Sequence, residues 1–173
     1  MLQLILGGAR SGKSRLAEQI AQDSGLKVHY VATAQALDVE MQQRIQHHQS
    51  QRPSHWQLSE EPLHLADCLQ RIDAPEQLIL VDCLTLWMTN LLLADDQNLL
   101  AQQMQKLLDV LPTLSSTIIL VSNETGLGVV PMGELSRKFV DESGRLHQQL
   151  AQLADKVLFC VAGLSMQLKG EKS

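Results

Sequence analysis

The sequence predicts an α/β protein, a mostly parallel sheet with helices on both faces. Three observations predict it. Short aliphatic or β-branched runs alternate with longer helical stretches, the rhythm of parallel strands joined by crossover helices. Four of the runs are apolar on both faces rather than strictly alternating, as central strands covered on two sides must be. The first run passes through a small-residue turn into a helical segment, the context of a phosphate-binding loop.

Taken in order, Leu2 to Leu6 is a buried strand and Lys13 to Asp23 the helix that follows it. Val28 to Ala32 is a second strand, Asp38 to Gln51 a polar helix and His55 to Leu58 a short third strand. Pro62 to Arg71 is a helix whose proline suits the first turn, where a missing N–H costs nothing. Leu78 to Val81 is a strand, and Leu84 to Ala94 and Asn98 to Leu111 are helices, the latter closed by Pro112. Thr117 to Val121 and Val157 to Ala162 complete the strands. Between these two, Met132 to Ala154 is long enough for two helices, with Gly144 the expected interruption. No repeat, linker or low-complexity block divides the 173 residues, so residues 1–173 are expected to form a single domain.

Composition narrows the function. With 45% hydrophobic and 19% charged residues the chain can bury a core, which excludes a disordered or fibrous protein. A formal charge of -5 disfavours broad adhesion to nucleic acid or to an anionic membrane, both of the same sign. No run approaches the ~18 apolar residues of a membrane span, and the apolar opening Met1 to Leu6 is too short for a secretory core. A cytoplasmic protein is expected. Cys68, Cys83 and Cys160 are scattered and lack C-x-x-C spacing, so they are expected as small buried hydrophobes rather than disulfide or zinc ligands.

The chemistry begins at Gly7-Gly8-Ala9-Arg10-Ser11-Gly12-Lys13-Ser14, a full G-x-x-x-x-G-K-[ST] match between strand and helix. Small residues let successive backbone N–H groups curl around phosphate oxygens, and the helix N-terminus adds partial positive charge. Lys13 would reach the β and γ phosphates and Ser14 would offer its hydroxyl to Mg2+. Leu78-Ile79-Leu80-Val81-Asp82, an apolar strand ending in a carboxylate, supplies the form of a second Mg2+ partner at Asp82. Many buried strands also end in a capping Asp.

A regulatory GTPase is disfavoured, since Asp141-Glu142-Ser143-Gly144 is the lone D-x-x-G, falls in a helical stretch and is followed by no N-K-x-D. Asn123-Glu124 follows a strand, at the crevice where α/β proteins bind ligands, and leads into Thr125 to Pro131, a substrate loop or an ordinary connection. Arg44, His48 and Arg52 share one face of the second helical candidate, while His47 points about 100° away. Two cations beside an imidazole disfavour a third charge, leaving His48 neutral and nucleophilic, and they could also grip phosphate. A plain polar surface helix would show the same pattern.

Along nearly its whole length the sequence resembles the bifunctional adenosylcobinamide kinase and adenosylcobinamide-phosphate guanylyltransferase family. The matching residues are Gly7 to Ser14, Tyr30-Val31-Ala32-Thr33, Asp38 to Met41 leading into Arg44-Ile45-x-x-His48, and Arg52-Pro53-x-x-Trp56 with Glu60. They continue through Val81-Asp82-Cys83-Leu84-Thr85, Asn90-Leu91-Leu92, Asn123-Glu124-x-Gly126-x-Gly128 and Arg137-x-Phe139-x-Asp141-x-x-Gly144-Arg145. The resemblance implies a RecA-like P-loop NTPase fold and two reactions on one corrin. A nucleoside triphosphate, ATP or GTP, phosphorylates the aminopropanol hydroxyl of adenosylcobinamide. GTP then gives GMP to adenosylcobinamide phosphate, releasing pyrophosphate and leaving adenosylcobinamide-GDP.

The resemblance further implies a GMP-histidine intermediate, carried onto His48, and a homo-oligomer, often a trimer, with the site near a subunit boundary. By position, Gly7, Gly8, Ala9, Arg10, Ser11, Gly12, Lys13, Ser14, Thr33, Gln49, Ser50, Gln51, Arg52, Glu60 and Asp82 would contact the nucleotide, with Lys13 and His48 catalytic. Gln49 departs from a commonly basic position and Leu58 from a common Thr. Two rival readings remain at this stage: a monofunctional small-molecule kinase in which His48 is idle, and a non-catalytic P-loop module, which acidic charge and the lack of an aromatic, basic groove disfavour.

Overall fold

The computed structural model describes residues 1–35, 53–96 and 98–171. Seven strands form one sheet in the order β3-β2-β4-β5-β1-β6-β7. They are β1 (Leu2–Gly7), β2 (Lys27–Ala32), β3 (Gln57–Glu60), β4 (Gln77–Asp82), β5 (Thr117–Asn123), β6 (Lys156–Val161) and β7 (Leu164–Lys169). All pairings are parallel except β6 with β7. The five described helices are α1 (Lys13–Asp23), α2 (Leu65–Ile72), α3 (Leu84–Leu93), α4 (Leu99–Val110) and α5 (Glu134–Leu153).

Period-two alternation along the strands divides the core. Ile5, Leu78, Leu80, Ile119 and Val121 meet Ala17 and Ala21 of α1 on one face. Leu4, Leu6, Ile79, Val81 and Leu120 meet α2, α3, α4 and α5 on the other. The small alanines of α1 let that helix lie close to the sheet. The larger side chains of the second face pack around Trp87, which is fully buried and whose indole N–H donates to the Leu63 carbonyl at 2.9 Å. Trp87→Ala is expected to cost about 3–5 kcal/mol of stability through the cavity it leaves, measured by urea unfolding. All three cysteines are free and buried, and burial pushes the Cys83 thiol up to about 11, as expected of packing residues. Among the described residues, no helix is long and apolar enough to cross a membrane.

Several elements differ from the sequence expectation. The third strand runs Gln57–Glu60 rather than from His55, because Trp56 closes a turn onto the Pro53 carbonyl. Helix α2 starts at Leu65 rather than Pro62, since the Glu61 carboxylate captures the Leu63 and His64 N–H groups and holds the chain in a turn. Helix α5 is continuous through Gly144 because Ser143, Leu146, His147 and Leu150 bury one stripe, which outweighs the ~1 kcal/mol penalty of a helical glycine. Strand β7 was not anticipated. The candidate helix Asp38 to Gln51 lies outside the described residues.

Candidate functional site

The carboxyl ends of the parallel strands share one edge of the sheet, and β1 stands there between β5 and β6. As β1 ends, the chain must turn sharply back into α1. A Cβ on Gly7 would lie 2.5 Å from Ser11 Oγ and 2.6 Å from the Cys160 carbonyl oxygen, so only glycine fits. The Ser11 N–H donates to the Gly8 carbonyl at 3.2 Å, and Arg10 and Gly12 adopt positive φ of 56° and 94°. Gly12 caps α1, whose first turn carries Lys13 and Ser14. The turn thus brings backbone N–H groups and a helix N-terminus together, a concavity suited to phosphate.

Two side chains in this loop are held ready for an anion. Lys13 is buried, and its ammonium donates to the Gly8 carbonyl at 3.2 Å, which keeps the charge folded over the loop. Ser11 Oγ is buried without a hydrogen-bond partner. An unsatisfied buried hydroxyl costs about 1–3 kcal/mol, a cost that a phosphate oxygen would remove. The loop is also braced from outside: the Gly163 N–H, in the β6–β7 turn, donates to the Ser11 carbonyl at 2.9 Å. Gly163 Cα lies 3.2 Å from where a Gly12 Cβ would be.

Asp82 ends β4, with β5 lying between it and the loop-bearing β1. Thr33 follows β2 and is fully buried. Its hydroxyl donates to the Cys83 carbonyl at 2.7 Å and accepts from the Cys83 N–H at 3.0 Å. It therefore fixes the chain just after Asp82. Asn90 on α3 ties the same region down by donating to the Thr33 carbonyl at 2.8 Å and the Pro62 carbonyl at 3.1 Å. Glu60 ends β3 at the far edge, four strand spacings or roughly 19 Å from β1. His48, Gln49, Ser50, Gln51 and Arg52 lie outside the described residues.

A polar cluster that the sequence reading did not assemble closes the other side of the crevice. Asn123 N–H donates to Thr85 Oγ1 at 2.7 Å, and Glu124 N–H to the Gly7 carbonyl at 3.1 Å. His147, on the buried stripe of α5, sits 2.8 Å by Nε2 from Ser122 Oγ and 3.5 Å by Nδ1 from Glu124 Oε2. Burial holds its pKa below the ordinary value, with Glu124 pulling the other way, so the ring is neutral near pH 7. Its sequence signal was spacing alone: Ser143, His147 and Leu150 recur on one helical face.

The donor set suits nucleotide and a hard cation. Ser14 in the first turn of α1 and Asp82 at the end of β4 offer oxygen donors, and Mg2+ uses few protein oxygens together with water and phosphate. Among the described residues no group of three or more His, Cys, Asp and Glu is placed to hold a metal by itself.

Residues 3–168 match the sequence model of a family described as cobinamide kinase / cobinamide phosphate guanyltransferase. The chain is 60% identical over 171 residues to the bifunctional adenosylcobalamin biosynthesis protein CobP of Pseudomonas aeruginosa, covering 99% of each. It is 40% identical over 182 residues to the bifunctional adenosylcobalamin biosynthesis protein CobU of Salmonella typhimurium, covering 98% of this chain and all of that one. Among solved structures, a Pyrococcus horikoshii OT3 protein superposes with a TM-score of 0.58 at 10% identity, covering 99% of this chain and 87% of that one. An ATPase of a bacterial type III secretion system does so with 0.54 at 12% identity, covering 96% and 57%. These two likenesses are of fold alone.

Proposed function

The chain belongs to the cobinamide kinase / cobinamide phosphate guanyltransferase family, a bifunctional enzyme of adenosylcobalamin biosynthesis, and from that premise we propose how its residues divide the two reactions. Gly7, Gly8, Ala9, Arg10, Ser11 and Gly12 wrap the triphosphate with backbone N–H groups. Lys13 pairs with the β and γ phosphates. Thr33, Gln49, Ser50, Gln51, Arg52 and Glu60 serve the rest of the nucleotide, Thr33 by way of the chain after Asp82. Ser14 and Asp82 would hold Mg2+, which when bound would neutralise charge on the phosphates.

In the first reaction the aminopropanol hydroxyl of adenosylcobinamide attacks the γ-phosphorus of ATP or GTP. The loop and Lys13 stabilise the spreading charge, so positioning and electrostatics carry the rate. In the second, an imidazole nitrogen of His48 attacks the α-phosphorus of GTP, a P–N bond forms and pyrophosphate leaves. The phosphate of adenosylcobinamide phosphate then attacks the same phosphorus, the P–N bond breaks and His48 is regenerated. Splitting one transfer into two is the logic of covalent catalysis.

The observation that carries this reading is the braced loop, with buried Lys13 and an unpartnered Ser11 hydroxyl, in a chain with relatives named as bifunctional. Incubation with α-labelled and γ-labelled GTP tests it. The α label should remain on denatured protein until adenosylcobinamide phosphate removes it, and the γ label should pass to adenosylcobinamide. Neither transfer occurring would overturn the reading. Asp82→Asn is expected to raise the Mg2+ concentration for half-maximal rate by about 10–100-fold in both reactions, because an amide is a poorer partner than a carboxylate for the metal shell. An unchanged Mg2+ titration would make Asp82 a strand-end cap.

Residues 1–173 act in this reading as a single cytoplasmic catalytic domain. Net negative charge argues against a nucleic-acid partner. A homo-oligomer, with a trimer as the leading form, is supported by the exposed apolar side chains Leu127, Val129, Val130 and Met132 in the loop after β5, and sedimentation tests it.

A further inference from the structure

The two reactions have acceptors of different chemistry. An alcohol must give up its proton as it attacks phosphorus, whereas a phosphate group is already ionised when it attacks. A proton acceptor is therefore needed in one reaction and dispensable in the other.

Among the described residues, four carboxylates stand where the parallel strands end: Glu60 at the end of β3 with Glu61 just after it, Asp82 at the end of β4 and Glu124 just after β5. Glu61 is occupied by the Leu63 and His64 N–H groups at 3.1 and 2.8 Å. Glu60 sits at the sheet edge away from the loop, and Asp82 serves the metal. Glu124 adjoins the loop-bearing strand itself, since its N–H meets the Gly7 carbonyl.

The Glu124 side chain is also held. It is 20% exposed, enough to meet a substrate. Oε1 accepts from the Gly126 N–H at 2.6 Å, and Oε2 faces His147 Nδ1 at 3.5 Å. His147 is 95% removed from solvent, at 5% exposure, and its Nδ1 has no hydrogen-bond partner. Behind it, Nε2 meets Ser122 Oγ, which lies 3.4 Å from Thr85 Oγ1 in the first turn of α3. The imidazole is thus anchored to two elements at one nitrogen and aims the other at the carboxylate.

We propose that Glu124 accepts the alcohol proton in the phosphoryl-transfer reaction and that His147 is the positioning residue for its carboxylate. The proposal rests on the bifunctional reading above. In the step, the alcohol oxygen forms a bond to the γ-phosphorus and the bond from that phosphorus to the β,γ-bridging oxygen breaks. The nucleoside diphosphate leaves with the electron pair, and the proton passes to the Glu124 carboxylate, which later returns it to water.

The test uses the full chain and two separate assays, phosphorylation of adenosylcobinamide from γ-labelled GTP and guanylyl transfer from α-labelled GTP to preformed adenosylcobinamide phosphate. Glu124→Gln is expected to lower kinase kcat by ~10²-fold or more, while KM for GTP and guanylyl transfer stay within about threefold of the parent. His147→Ala should lower kinase kcat in the same selective way, and His147→Asn, whose amide nitrogen replaces Nδ1, should recover much of it. Kinase turnover surviving in Glu124→Gln, or equal loss of both reactions, overturns the proposal while the bifunctional reading stands. His147→Ala at parental kinase turnover overturns the positioning role. A parent protein that makes no phosphorylated product overturns both this inference and the reading beneath it.

Discussion

His48→Ala is expected to lose the covalent GMP adduct and all guanylyl transfer while keeping most kinase activity. Phosphoryl transfer to a hydroxyl needs positioning and charge neutralisation but no protein nucleophile, whereas the second reaction in this scheme runs through a P–N bond. His47→Ala should leave both reactions near the parent level, because in the helix that the sequence predicts it would face about 100° away from the side shared by Arg44, His48 and Arg52. The adduct on the parent protein should be acid-labile and alkali-stable, as a phosphoramidate is and a seryl ester is not. Labelled GTP followed by denaturing gels reads all of these. An adduct that survives in His48→Ala and disappears in His47→Ala would assign the chemistry to the neighbouring residue.

Lys13→Ala is expected to abolish detectable phosphorylation of adenosylcobinamide and to weaken triphosphate binding by ~10²-fold or more. The ammonium donates to the Gly8 carbonyl, within the turn that would enclose the phosphates, and no other side chain in that turn carries a charge buried in this way. Stability should shift by less than about 1 kcal/mol, because the Gly8 carbonyl is half-buried and can bond water instead. Kinase assays and titration with a non-hydrolysable triphosphate, alongside urea unfolding, separate the two effects. A folded Lys13→Ala protein that phosphorylates normally would remove the loop from the mechanism.

The parts of the fold that sequence foretold are those where local pattern and burial agree. β4 and β5 carry continuous apolar runs because both faces are covered, and α1 matches its predicted limits residue for residue. Strand order was not legible, since nothing local places β5 between β1 and β4. Strand β7 escaped because it is an exposed edge. Its Leu164, Met166 and Leu168 alternate with Ser165, Gln167 and Lys169, a period-two signal that could have been read after the two-residue turn at Ala162 and Gly163. Within the site, the loop and Asp82 were legible as motifs. His147 was not, because a histidine on an amphipathic helix looks solvated until the packing of α5 against β5 turns it inward. Thr33 was expected at the nucleotide, and the structure puts its hydroxyl on the Cys83 backbone.

The position of β1 has a consequence for how the protein is made. Both of its neighbours, β5 and β6, belong to the second half of the sequence, and Leu2 is tied to Asp155 across 153 residues. At a synthesis rate of ~5–20 residues per second, the loop-bearing strand waits roughly 6–23 s on the ribosome with both hydrogen-bonding edges open, until β5 is made. Gly163, which props Ser11, is translated after both partner strands. A triphosphate therefore has no finished cradle to enter until most of the sheet exists, and its binding acts as a late clamp. At a ligand concentration 100 times Kd that clamp adds about 2.7 kcal/mol, exerted where the early and late halves of the chain meet.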